Sequence, residues 1–571
     1  MVLRSFWCGG CGHVDVSLLN MIVTSELEDR VVEELPAHIF YRNRCLLYGN
    51  KVALIEYGTG RILTFNNVLN QVERLAGAFQ ELGISARDRV AVHGNNSIDI
   101  FLAYLAVHFV NATVVACKTT LTVREMVYQC LNADVKFIIT DDAAYEVTLD
   151  CLDQLPEVKT VILANVKTPP GSHPELRTVQ ELLLNSLSPF EPPVDVRPRE
   201  DEVLITFTSG TTGLPKGVLH THFSHQAQLL CSGDDGVRMI RGSDILLQWC
   251  PISHVSGSIF FPTSIATGAT SVVANARRDV EDFIDICEKY EITNLMAFPV
   301  ILQRIIELLT CAPGSCRSVK HILTGGSVIP VSWSESITKL LNLRSFRILF
   351  GMSECLIVTI TEDNQCTSHS VGKPLPNTRI KVVDIETGET LGLYQKGELA
   401  IKTDFVMKGY DKRPDATDEV FTKDGWLLTG DFGYVDTEGQ FYICERLKQL
   451  IKCLDNQVSP AEIEDVLLQT VHWAFSPFVV KNPAVAEVNV IGLPHETYGE
   501  APTAYIVLSE GHAPSNELKE ELIGIVKREF AYFKHLYGGV FFLDHLPKTD
   551  SGKFSRSELK KKLASGEIEV V

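Results

Sequence analysis

At 571 residues the chain exceeds what one compact core organises, so two or more domains are expected. Hydrophobic residues at 45% and charged residues at 22% are the proportions of an ordinary globular protein, and a net charge of −19 argues against a nucleic-acid partner, whose phosphates reward Lys and Arg. Fifteen cysteines, scattered through apolar segments without a repeated spacing, read as reduced thiols serving as small hydrophobes rather than as a disulfide framework.

Residues 1–35 are atypical and read as a peripheral leader. Cys8-Gly-Gly-Cys11 followed by His13 is a metal-like pair, but a structural zinc site needs a second pair and none is spaced nearby. Asp15 interrupts any secretory apolar segment, and the chain ends Glu-Ile-Glu-Val-Val without a Ser-Lys-Leu signal, so a cytoplasmic protein is expected. From Lys51 the pattern becomes regular. Residues 51–56 are strand-like, and Thr64 precedes a helix in which Val68, Val72, Leu75 and Phe79 recur at helical spacing up to a C-cap at Gly83. A strand at 89–93, a helix at 97–109 and a strand at 135–140 follow. The apolar run 101–117 carries His108 and Asn111, which predicts a buried helix leading into a strand rather than a transmembrane span. This alternation continues to about residue 300 and predicts α/β architecture with parallel sheets.

The β-prone run 203–207 leads into Thr208, Ser209, Gly210, Thr211, Thr212, Gly213, Leu214, Pro215, Lys216 and Gly217. Glycine permits the turns that let successive amides converge, the hydroxyls add donors, and Lys216 adds a positive charge, which together make a phosphate nest. It is not a Walker A loop, because no Ser or Thr follows the Lys and strand-like residues 218–221, not a helix, come next. Residues 376–444 change texture. Short strands at 379–384, 396–402 and 439–445, separated by Gly and Pro turns, predict a small antiparallel module. A helix at 460–469, strands at 488–492, 504–508 and 540–543, and a helix at 516–530 then predict a compact α+β unit.

The run 208–217 resembles the phosphate-binding signature of the adenylate-forming superfamily: acyl-CoA synthetases, 4-coumarate-CoA ligase-like enzymes, beetle luciferases and peptide-synthetase adenylation domains. Four further signatures follow in the same order. Phe350-Gly351-Met352-Ser353-Glu354 is similar to the segment whose final carboxylate binds Mg²⁺ on the nucleotide phosphates, with Ser353 for the usual Thr and Phe350 for the usual Tyr. Magnesium prefers one or two carboxylates plus phosphate oxygens, so one Glu suffices. Thr429-Gly430-Asp431 matches the segment whose Asp binds both ribose hydroxyls. In Glu445-Arg446-Leu447-Lys448-Gln449-Leu450-Ile451-Lys452, Arg446 resembles the arginine near the ribose and α-phosphate, and Glu445 takes the hinge position. Leu546-Pro547-Lys548-Thr549, leading to Gly552-Lys553, matches the motif whose Lys bridges the substrate carboxylate and the α-phosphate. Two weaker elements are Pro251-Ile252-Ser253-His254, whose His lines the acyl and cofactor channel in the family, and Thr324-Gly325-Gly326-Ser327, which resembles the strand end along adenine and acyl chain.

The resemblance covers roughly residues 48–563 and implies a domain plan of leader 1–35, an AMP-binding domain 36–444 and a mobile C-terminal domain 445–571. It implies ATP, Mg²⁺ and CoA as cofactors and substrates, and a carboxylic acid, fatty or aryl-propenoic, as partner. The activity implied is formation of acyl-AMP, then of acyl-CoA. The alternatives are luciferase-like oxidation of the adenylate and a nucleotide-binding protein that has lost turnover. Two departures bear on this. Cys453-Leu454-Asp455 stands where the family places a small loop with Gly for the pantetheine, and residues 471–482 interrupt the expected short link to Pro483.

Overall fold

The computed structural model describes residues 21–568 apart from 167–175, 186–188, 209–214, 235, 276–278, 327–328, 365–369, 455, 471–479, 482 and 549–553. The expected alternation is present. Thr64 caps the helix Phe65–Glu81 through a capping box with Asn67, and Val68, Val72, Leu75 and Phe79 all face the core. Gly83, at φ 84°, follows its last turn. The helix Ile98–Phe109 is buried at all twelve positions and leads into the strand Thr113–Ala116. It packs against strands of both large sheets, and Phe101 stacks on Phe261 at 4.0 Å. A helix apolar all round is stable only when covered on every side, which explains its central place.

Fourteen strands form the larger sheet. From Val52–Glu56 through Thr270–Val273, Ile245–Gln248, Asn294–Met296 and His321–Gly325 to Ser345–Met352 the pairing is parallel. Beyond Ser345–Met352 it is antiparallel, through Leu356–Ile360, Ser370–Pro374, Phe441–Arg446, Leu427–Val435, Gly397–Thr403 and Thr378–Val383. The antiparallel module is therefore continuous with the parallel sheet rather than set apart from it. Val23–Thr24 adds a short edge strand to Thr378–Val383.

The second sheet has eight strands. Its middle is parallel, and its edge is antiparallel, where Glu202–Thr208 pairs with Lys216–Thr221 and that strand with Gly409–Tyr410. The C-terminal unit is a five-stranded sheet with its own core, including Ile463, Leu467, Val488, Val490, Leu522 and Val526. Its central hairpin, Val485–His495 with Gly499–Leu508, is longer than the sequence pattern suggests. The helix Pro460–Leu468 ends one residue early, because Gln469–Thr470 pairs with Val480–Lys481 and closes the base of the 471–482 insertion.

Where the units meet, the largely buried Arg556 guanidinium donates to Glu445 at 3.1 Å and to both oxygens of Glu464 at 2.8 Å. Among the described residues no helix is long and apolar enough to cross a membrane, and no cluster of three metal-ligating side chains occurs. Cys8, Cys11 and His13 lie outside those residues.

Candidate active site

Thr208 and Lys216 stand directly opposite each other in the antiparallel pair at the edge of the second sheet. The glycine- and hydroxyl-rich run thus connects two strands paired antiparallel, and a strand rather than a helix follows it, consistent with the exclusion of a Walker A loop. Ser209, Gly210, Thr211, Thr212 and Gly213 lie outside the described residues. Lys216 Nζ sits 4.6 Å from the centroid of the Tyr410 ring, a cation–π contact.

Tyr410 belongs to a segment that splints the hairpin. Lys408 N–H donates to Leu219 O at 2.8 Å, and Asp411 N–H donates to Gly217 O at 2.7 Å. Arg89 forks onto Asp411 at 2.7 and 3.0 Å, a bidentate geometry that fixes the segment's far end.

The second signature forms a tight turn between Ser345–Met352 and Leu356–Ile360. The ladder slips between Phe350 and Gly351, and a Cβ on Gly351 would lie 1.8 Å from the carbonyl oxygen of Leu356. Met352 and Ser353 then lead into the turn. Leu356 closes it in the left-handed region at φ 55°, a strain of about 1–2 kcal/mol that the surrounding contacts must offset. Gly351→Ala is accordingly expected to lower the unfolding free energy by about 2–4 kcal/mol, read as a lower urea midpoint. An unchanged midpoint would contradict this packing.

The turn presents Glu354, only 7% exposed, whose Oε1 accepts a hydrogen bond from the Tyr410 hydroxyl at 2.7 Å. Two further bonds hold its backbone. His220 Nε2–H donates to Ser353 O at 2.7 Å, and Met407 N–H donates to Glu354 O at 2.7 Å. Burial first, and then the Glu354 carboxylate, push the Tyr410 phenol upward, so it stays a donor at neutral pH.

Asp431 and Arg446 are cross-strand partners in the antiparallel half of the large sheet. Register alone brings them together, with Arg446 Nε 2.9 Å from Asp431 Oδ1 and Nη1 3.0 Å from Thr429 O. Asp431 is buried, while the Arg446 side chain is 42% exposed and presents its outer edge to solvent. The Cys355 thiol is pushed up by burial and then by Glu354, with Asp431 adding and Arg446 opposing. The Glu354 turn and the Asp431–Arg446 pair therefore share one electrostatic neighbourhood.

Two glycines end the strand His321–Gly325. A Cβ on Gly325 would lie 2.4 Å from Leu349 O, and Gly326, at φ 93°, approaches the Phe298 ring. His254 meets the same ring edge-on, with centroids 5.3 Å apart. His254 caps the helix Val255–Thr267: its Nδ1 accepts from Ser256 N–H at 3.1 Å, which leaves the proton on Nε2. Ser327 and Lys553 lie outside the described residues. Lys452 is on the C-terminal sheet, where its N–H donates to Glu500 at 2.8 Å, and no contact among the described residues joins it to Glu354 or Asp431. Leu454 adopts φ 50°, and Asp455 lies outside.

Sequence reasoning did not find Tyr410 or His220. Each reaches the site through strand pairing with distant segments, and no local spacing marks either.

The model of the AMP-binding enzyme family matches residues 41–411, and that of the AMP-binding enzyme C-terminal domain matches residues 478–553. The chain is 27% identical to 4-coumarate–CoA ligase 2 of Nicotiana tabacum, over 97% of this chain and 99% of that one. It is 29% identical to the luciferin 4-monooxygenase of Photuris pensylvanica, over 89% and 91%. Among solved structures, the o-succinylbenzoate CoA synthetase of Bacillus subtilis, in complex with its acyl-adenylate intermediate, superposes with a TM-score of 0.72 at 27% identity, covering 91% of this chain and 97% of that one.

Proposed function

The chain belongs to the AMP-binding enzyme family of ATP- and carboxylic acid-using enzymes, and on that footing we propose that it is an acid–thiol ligase acting in two steps. In the first, an oxygen of the substrate carboxylate attacks the α-phosphorus of ATP, the bond to the bridging oxygen breaks, and acyl-AMP and pyrophosphate form. In the second, the CoA thiol attacks the acyl carbonyl, loses its proton to solvent and expels AMP.

The observation that carries this reading is the convergence of Lys216 and Glu354 on Tyr410, at the base of the hydroxyl-rich hairpin. The hairpin from Thr208 to Lys216 would hold the β- and γ-phosphates. Asp431 and Arg446 would hold the ribose and α-phosphate. Gly325, Gly326 and Ser327 would lie along adenine and acyl chain, with Phe350, Gly351, Met352 and Ser353 forming the adjoining wall. His254 would line the acyl and cofactor channel.

Glu354 fits a magnesium ligand. It is a buried carboxylate with one oxygen held by Tyr410, and among the described residues its other oxygen makes no hydrogen bond. When bound, Mg²⁺ would neutralise charge on the polyphosphate. Lys553 would stabilise the charge that develops as one anion attacks another, which a cation in a dehydrated site does far better than one in water. Rotation of the C-terminal unit about Glu445 would then withdraw Lys553, bring the Lys452 strand to the site and admit the thiol.

ATP–pyrophosphate exchange across a panel of fatty and aryl-propenoic acids, with CoA omitted, tests the first step. Exchange with at least one acid is expected, and adding CoA should then yield the thioester. ATP binding with no exchange would overturn the ligase in favour of a nucleotide-binding protein. Exchange followed by oxygen uptake with no thioester would overturn the second step in favour of oxidation.

A further inference from the structure

Lys216 and Glu354, an amine and a carboxyl side chain, both contact Tyr410, yet no ion pair joins them among the described residues. Left to themselves, a flexible ammonium and a carboxylate at such a site would close on each other and cancel. The residue between them is Tyr410, 8% exposed, whose ring lies against the ammonium and whose hydroxyl is bonded to the carboxylate. Its backbone is fixed on every side. Gly409–Tyr410 pairs with Val218–Leu219, Tyr410 N–H donates to Thr417 Oγ1 at 2.9 Å, and Asp411 is clamped by Arg89.

We propose that Tyr410 is a positioning residue that keeps Lys216 and Glu354 apart and aims both at the polyphosphate. It acts through two different faces of one side chain. The ring offers the ammonium a soft seat that leaves its N–H donors available to phosphate oxygens. The hydroxyl occupies Oε1 of Glu354, fixes the plane of the carboxylate and directs Oε2 outward as the ligand atom. A partner that orients a metal ligand in this way commonly changes metal affinity when removed. The inference rests on the reading of Glu354 and Lys216 given under Proposed function.

The two faces separate in two variants. Tyr410→Phe keeps the ring and loses the hydroxyl, while Tyr410→Leu loses both. Mn²⁺ is titrated into the protein loaded with ATP, without acid, and followed by water-proton relaxation; ATP binding is measured separately in EDTA. Tyr410→Phe is expected to weaken Mn²⁺ binding about ten- to a hundredfold, with metal-free ATP affinity and melting temperature unchanged. Tyr410→Leu is expected to weaken both. Wild-type Mn²⁺ affinity in a folded Tyr410→Phe, or failure of both variants to fold, overturns the assignment and makes Tyr410 a packing residue. Absence of ATP-dependent Mn²⁺ binding by the wild type overturns it together with its premise. Normal Mn²⁺·ATP binding by a wild type that shows no exchange with any acid sinks only the ligase reading.

Discussion

Replacing Lys553 with Ala is expected to slow acyl-AMP formation by about 10²–10³-fold while leaving thioester formation from supplied acyl-AMP within about threefold of the unmodified rate. The asymmetry follows from where charge develops. In the proposed first step a carboxylate would approach a polyphosphate, and the attack would add negative charge where it is already crowded. In the proposed second step a neutral acyl carbonyl would be attacked and AMP would depart, which asks much less of a cation. The residues flanking the segment that carries Lys553 are paired: Lys548 bridges to Phe554, and Ser555 N–H donates to Pro547 O at 2.9 Å. The two rates are measured separately, by exchange and by CoA consumption with synthetic acyl-AMP. Equal losses in both would eliminate the scheme in which one small unit serves the two steps from different positions.

A steep loss of stability between pH 6.5 and pH 4 is the second expected result. Burial lowers His38, His93, His220 and His225 to about 4 and His222 to about 3, against 6.5 for the free side chain. The hydrogen bonds of His222 suit the neutral ring. His222 Nδ1 accepts from Ala37 N–H at 3.0 Å, and its Nε2–H donates to Asn111 Oδ1 at 2.7 Å, so a second proton would break the first bond. Because the folded values lie below the unfolded one, the unfolded chain binds more protons throughout this window. The stabilisation is complete above about pH 7 and is lost as the pH falls.

At pH 5 each buried histidine would withdraw about 1–2 kcal/mol. Five together rival the roughly 5–15 kcal/mol that holds a typical domain. Carboxylates act on both sides of this range. Asp201 is buried, but hydrogen bonds from Arg87 and Asn111 outweigh that and hold it below the usual carboxylate range, so its loss comes at lower pH. Burial instead pushes Asp141, Glu398 and Glu464 up, so in the folded chain they take up protons earlier and offset part of the histidine loss. The melting temperature is expected to drop by more than about 10 °C between pH 7.5 and pH 5. A flat profile over that interval would show that these rings are not buried neutral.

How much of this was legible in the sequence depends on whether chemistry was written in consecutive residues. The hairpin around Lys216, the Glu354 turn and the Asp431 segment each carry their glycines, hydroxyls and charges within a few positions, so linear reading reaches them. The contacts that set their geometry are not local. Tyr410 meets Lys216 and Glu354 only because its strand pairs with Val218–Leu219. Asp431 and Arg446 meet through a cross-strand register that composition does not encode. The antiparallel module is legible as a module because its strands are short and punctuated by turns, but its continuity with the parallel sheet is not. The strand Ser345–Met352 pairs in parallel on one edge and antiparallel on the other, and that dual role has no sequence signal. His254 likewise reads as a channel residue, and its capping of the helix Val255–Thr267 depends on a backbone turn at Ser256.

The bonds from Arg556 to Glu445 and Glu464 also constrain how the protein can be recombined. Glu445 lies on the strand Phe441–Arg446, shortly before the first strand of the C-terminal sheet, and Arg556 follows three residues after Lys553. A chimera joined just after Glu445 would draw the acid and its guanidinium partner from different parents and strand a largely buried charge if they failed to match. A crossover upstream of the strand Phe441–Arg446 keeps them together, so the natural unit of exchange begins before that strand rather than after Glu445.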